Sequence, residues 1–157
     1  MPEPETQQSI SDAAQEIFEL YKLVAIARAR QPANRDELSE TEFLALDLLV
    51  QGEPLTVGEI QKRIGVVPAQ MSRIARSLES DGGKGLIDTK INQQDRRRVD
   101  VSLTVAGRRA YDDYRVVRLR SMKRTLEALD STDQEEFMRM LRLIRQAFAA
   151  QIDAMDQ

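Results

Sequence analysis

Residues 56–78 read TVGEIQKRIGVVPAQMSRIARSL, and residues 86–104 read LIDTKINQQDRRRVDVSLT. The first stretch has the 3.6-residue period of two short helices, and the second alternates with period 2. Thr56-Val57-Gly58-Glu59 has the spacing of a capping box, which opens a helix running through Ile60 and Ile64 to Gly65. Val66 and Val67 then lead into Pro68, a residue suited to the first helical position. Beyond it Met71, Ile74, Ala75 and Leu78 fall at i, i+3, i+4 and i+7. Two short helices joined by a glycine-containing turn form a helix-turn-helix. The spacing points Ala69, Gln70, Ser72, Arg73, Arg76 and Ser77 away from the apolar stripe of the second helix.

Asp81-Gly82-Gly83-Lys84-Gly85 breaks that helix. These glycines lack the spacing and the following Ser or Thr of a phosphate-binding loop, so they read as a turn. Ile87, Thr89 and Ile91 alternate with Asp88 and Lys90, and Val99, Val101 and Leu103 with Asp100 and Ser102, which predicts a hairpin. Its tip, residues 92–98, has no apolar residue to turn inward. Arg96, Arg97 and Arg98 must therefore project into solvent or onto a polyanion.

Working outward, Thr104 can cap a long helix beginning at Val105, with Tyr111, Tyr114, Val117, Met122 and Leu126 among its apolar positions. Ser131-Thr132-Asp133 marks a new start, after which Phe137, Leu141, Ile144 and Phe148 form a seam close to that of a coiled coil. Upstream, residues 1–8 are polar and proline-containing and read as a disordered tail. From Ile10 to Ala25 a wide apolar stripe recurs at helical spacing, stopping near Pro32. Ser39 and Glu42 form a second capping box before Phe43, Leu46, Leu49 and Val50, and Gly52 with Pro54 ends that helix.

The expected fold is mainly α with a small β-hairpin wing. A winged helix-turn-helix DNA-binding module spans 37–104, and residues 9–36 with 105–157 form a helical dimerisation region. The outer helices carry more apolar surface than one small domain can cover, which favours a homodimer over an antiparallel bundle within one chain.

Composition narrows the function. The 157 residues include neither Cys nor His, which excludes disulfides, thiol catalysis, Cys/His zinc sites and histidine-based triads. No cofactor or metal is implied. No apolar run reaches the ~18–20 residues of a membrane span, and the N-terminus is acidic where a signal peptide is basic. The expectation is a soluble, cytoplasmic, nucleoid-associated protein without a membrane partner. Net charge is −3, yet residues 55–109 hold eleven Lys/Arg against six Asp/Glu. A basic centre between acidic flanks is the footprint of a phosphate-binding face on a soluble chain.

The order of elements resembles the MarR (multiple antibiotic resistance regulator) family of winged-helix transcription factors. The resemblance rests on Leu78-Glu79 ending the second helix, Gly85-Leu86-Ile87 opening a strand, and Asp95-Arg96-Arg97 followed by Leu103-Thr104 and Gly107. It implies a homodimer on an inverted repeat of double-stranded DNA, with recognition helices in major grooves and wings in flanking minor grooves. By that resemblance Asp95 braces the wing and Arg97 is the minor-groove arginine. A guanidinium, planar and weakly hydrated, suits a narrow negative groove. Arg96 and Arg98 point to the other side of the strand and hold phosphates. Gln70 and Arg73 are the best base readers, through adenine and guanine respectively, while Ser72 and Arg76 take bases or phosphates and fix register.

Two features depart from the family pattern. Val67 stands where the family commonly has a capping Ser or Thr, and residues 81–85 make a longer turn, which bears on where Arg97 lands. The family also implies a small aromatic or anionic effector in a cleft beside the dimer helices. Ile17, Tyr21, Phe43 and Tyr111 either line such a cleft or are ordinary core. Without Cys or His, a thiol switch or zinc sensing has no residues to use. The alternative function is an interaction module that binds an acidic protein. A carboxylate enzyme would need converging acids, whereas the acids here fall at caps and on exposed faces.

Overall fold

The computed structural model describes residues 4–30, 37–52, 54–79 and 82–155. The elements are α1 (Pro4–Ala29), α2 (Glu40–Gln51), β1 (Leu55–Thr56), α3 (Val57–Ile64), α4 (Pro68–Leu78), β2 (Ile87–Ile91), β3 (Val99–Leu103), α5 (Val105–Leu126) and α6 (Ser131–Met155). The fold is mostly helical with one small antiparallel sheet of order β1-β3-β2. In the hairpin Ile87 faces Leu103 and Ile91 faces Val99, while β1 adds Leu55 opposite Val101.

Local chemistry explains most boundaries. Both capping boxes form: the Ser39 and Thr56 side chains each accept from the third backbone N–H of their helix, and Glu42 and Glu59 reach back. Gly65 ends α3 in the left-handed conformation at φ 69°, which glycine adopts without steric cost. Leu46, Leu49, Ile60, Leu78, Ile87 and Val101 are almost wholly buried and draw α2, α3, α4 and the sheet around one core. Phe43 stacks on Tyr111 and Tyr114, with ring centroids 5.2 and 4.4 Å apart, which fastens α5 to α2.

The chain divides into two compact units, Met1–Glu37 and Leu38–Gln157. Both α5 and α6 fall in the second unit, and for α5 the aromatic stack on α2 is the physical reason. The expected disordered tail of residues 1–8 is helical from Pro4 onward, and residues 1–3 lie outside the described part. Proline is suited to the first turn, and Gln8 Nε2 donates to Asp12 Oδ1 one turn on. On α1, Ile10, Phe18, Tyr21 and Leu23 are more than half exposed, as are Leu143, Phe148 and Ile152 on α6. Among the described residues, no helix is long and apolar enough to cross a membrane.

Candidate nucleic-acid interface

Helix α4 buries Met71, Ile74, Ala75 and Leu78 and leaves Gln70, Ser72, Arg73 and Arg76 exposed. Two members of this arc are tied back to the helix. The Ser72 hydroxyl donates to Pro68 O (3.0 Å), and Arg76 Nε donates to Ser72 O (3.1 Å). Ser72 and Arg76 are thus held close to the helix surface. No side chain caps α4: Val67 offers only its carbonyl, which accepts from Gln70 N and Met71 N, both at 3.0 Å.

Ser77 does not belong to the outward arc. It is half-buried, and its hydroxyl donates to Glu42 Oε1 at 2.6 Å. Glu42 is the one buried charged residue among those described, 5% exposed. Its second oxygen accepts from the Ser39 N–H (2.7 Å) and from the Lys84 ammonium (2.9 Å). Burial works to raise this carboxyl. The Ser77 hydroxyl, the Ser39 N–H and the Lys84 charge together outweigh it and hold the group below the usual carboxylate range.

The glycine-rich turn is closely held. Lys84 N donates to Ser77 O (2.8 Å), Gly85 N to Glu79 O (3.0 Å) and Leu86 N to Leu78 O (2.7 Å), so the turn folds back over the end of α4. A Cβ on Gly83 would stand 2.5 Å from the carbonyl oxygens of both Arg76 and Glu79, which only glycine permits. The extra glycines therefore do not release the wing; they cover the last carbonyls of α4.

At the wing tip Asp95 Oδ1 accepts from the Arg97 N–H (3.0 Å), and Asp95 O accepts from the Arg98 N–H (2.9 Å). Asn92, not singled out from the sequence, organises the same turn. Its Oδ1 accepts from Gln94 N and Asp95 N, and its Nδ2 donates to Asp100 Oδ2 at 2.7 Å. An Asn followed by Asp within three residues is the local signal that could have found it. Arg96 and Arg97 are exposed. Arg98 differs from the expectation: its guanidinium reaches Glu59 Oε1 at 3.0 Å, drawing it toward the start of α3. Glu59 is held below the usual carboxylate range chiefly by the Thr56 N–H and hydroxyl, with Arg98 adding to this, so it is a ready anion for that arginine.

The remaining candidates separate. Tyr111 is buried and donates to Asp47 Oδ1 (2.6 Å), and burial with that carboxylate pushes its hydroxyl upward in pKa. Phe43 packs on it as core, whereas Ile17 and Tyr21 are exposed on α1. Among the described residues, no group of acids is arranged to hold a metal ion.

Comparison with known proteins places this geometry. The MarR family model matches residues 38–99. No curated protein matches the chain in sequence. Solved structures share the fold over most of both chains. A MarR family protein from Bacillus stearothermophilus is 19% identical, with 95% of this chain and 99% of that one covered and a TM-score of 0.71. FabT from Streptococcus pneumoniae, solved in complex with DNA, is 19% identical at 92% and 98% coverage, TM-score 0.64. BpsR from Bordetella bronchiseptica, described with regulation of its DNA binding by 6-hydroxynicotinic acid, is 17% identical at 85% and 98% coverage, TM-score 0.59. Residues 38–99, with their buried α2–α4 core, exposed α4 arc and arginine-tipped wing, match the MarR family model and share the winged-helix fold of those solved structures.

Proposed function

We propose that the chain is a sequence-specific regulator that binds an inverted-repeat operator in double-stranded DNA as a homodimer and represses transcription there. The observation that carries this reading is the arc of Gln70, Ser72, Arg73 and Arg76, free of buried residues, on the same module as the exposed Arg96 and Arg97. In this reading Gln70 and Arg73 read bases, Ser72 and Arg76 set register, Arg97 enters the minor groove and Arg96 holds phosphate. Asp95 braces the tip by fixing the Arg97 backbone. Arg98 can serve a phosphate only by leaving Glu59.

The exposed apolar faces of α1 and α6 support dimerisation, because an isolated chain would leave them in water. A small aromatic or anionic compound is the proposed releasing signal, as BpsR is described with 6-hydroxynicotinic acid. No catalytic step and no cofactor enter this function.

The test is selection of genomic duplex fragments by the purified protein, followed by sequencing. Enrichment of an inverted repeat with half-sites about one helical turn (~10 bp) apart supports the reading. Retention without sequence preference, or none in low salt, refutes it in favour of a module that binds an acidic protein.

A further inference from the structure

The wing joins α4 through the turn at 82–85, which its own backbone hydrogen bonds hold over the end of that helix. Gly82 and Gly85 have φ of 80° and 68°, conformations that glycine adopts without steric cost. The five-residue strands rise about 17 Å, so a tilt of roughly 10° at the hairpin base would move the tip by about 3 Å. That is a whole hydrogen-bond length at Arg97.

Beside those backbone bonds, the side-chain restraints on such a tilt converge on one carboxylate. Glu42 is fixed to the start of α2 by its capping box, with Ser39 N–H at 2.7 Å from Oε2. Ser77, one residue from the end of α4, donates to Oε1 at 2.6 Å, which fixes the roll of the recognition helix. Lys84, in the turn, donates to Oε2 at 2.9 Å, which fixes the base of the wing. These partners lie 35 and 42 residues from Glu42 in sequence, and the ion pair is largely shielded, its side chains 7% and 22% exposed. Charge-assisted bonds with little water to compete are stronger and better aligned than surface pairs.

We infer that Glu42, Ser77 and Lys84 are positioning residues that hold the wing in register with the recognition helix, and so set how much the flanking DNA adds to operator affinity. This rests on the DNA-binding reading above. None of the three need touch DNA. Their joint effect is to let major-groove and flanking contacts form at the same time, so that the wing adds affinity without first being ordered.

The experiment compares two duplexes, the selected operator alone and the operator with its native flanks, in binding titrations at fixed salt. The variants are Lys84→Met, which keeps the aliphatic stem, Ser77→Ala, which changes no charge, and Lys84→Arg as the conservative rescue. Circular dichroism melts establish that each variant folds, and the full chain is used throughout. The readout is the ratio of affinities for flanked and unflanked duplexes. In Lys84→Met and Ser77→Ala this ratio is expected to fall by about three- to tenfold, with unflanked affinity changed less than about twofold, and Lys84→Arg to recover most of it. A wild-type ratio in both folded variants overturns the inference, and so does an equal loss on both duplexes, which would mark a merely structural role. If the wild-type protein itself shows no preference for any sequence, the DNA-binding reading fails first and takes this inference with it.

Discussion

Gly107 offers a sharp test of how α5 is attached to the winged module. In the middle of an ordinary helix Gly→Ala is stabilising by about 0.5 to 1 kcal/mol. At Gly107 the sign should reverse. The residue is buried at the third position of α5, and its N–H donates to the capping Thr104 hydroxyl at 2.9 Å. An added Cβ would fall inside contact distance of the Leu86 carbonyl oxygen and within 2.8 Å of Leu103 Cδ1. Leu86 O cannot retreat freely, because it accepts from Thr104 N at 3.1 Å. Overpacking against backbone costs about 3 kcal/mol at the upper end of its range, which leaves a net loss of about 2 kcal/mol after the helical gain. For a chain of this size that lowers Tm by about 4 to 8 °C. The assay is thermal melting by circular dichroism at fixed protein concentration, since self-association would otherwise shift Tm. Gly58→Ala is the control: it lies in α3 with nothing within 4 Å of the added Cβ, and it should gain about 0.5 kcal/mol. A Gly107→Ala protein that melts at or above wild type would refute the close-approach explanation.

Val67→Ser should supply the missing cap of α4 and add about 1 kcal/mol, read as a higher urea midpoint with unchanged slope; an unmoved midpoint would mean that another donor or acceptor already serves that end. Stability should decline below pH ~4.3, because Glu42 titrates lower in the folded than in the unfolded chain: its contribution is complete above the unfolded value and is lost as pH falls through the folded one. Glu42→Gln should flatten that acid limb, and an unchanged limb would assign acid unfolding to other groups. Arg97→Ala should weaken binding to operators with A·T-rich flanks, whereas Arg73→Ala should relax preference at one base position by about 1 to 3 kcal/mol, both measured by titration against a panel of duplexes. Wild-type affinity of Arg97→Ala at moderate salt would remove that residue from the interface. Leu141→Glu, on the exposed face of α6, should shift the species seen by light scattering from dimer to monomer, and an unshifted mass would place the interface elsewhere.

The parts legible in the sequence are those whose signal is local. Both capping boxes close over three residues, the α4 stripe repeats within eleven, and the wing alternates within five, so each could be read from its own segment. β1 could not, because Leu55-Thr56 is too short to show any period and exists only by pairing with Val101 and Asp100. The site divides the same way. The exposed positions of α4 follow from helical spacing, but Ser77 is turned inward by Glu42, 35 residues away, and Arg98 is drawn to Glu59, 39 residues away. Nothing in a segment's own sequence announces a partner at that distance. The turn at 82–85 is instructive in the opposite sense: its glycines suggest slack, yet Gly83 is required by close approach to helix carbonyls.

Thr104 joins two elements through one oxygen. Its hydroxyl donates to Gly85 O at 2.8 Å and accepts from Gly107 N at 2.9 Å, so the first turn of α5 and the base of the wing share a bearing. Helix α5 has 22 residues and extends about 33 Å from that point. Mechanically it is a long arm on a short pivot. The pivot is its first third, where Phe43 stacks on Tyr111 and Tyr114 and clamps the helix to α2, with Thr104 tying the near end to the base of the wing. A sideways load on the distant end of α5 is therefore shared between that clamp and the base of the wing.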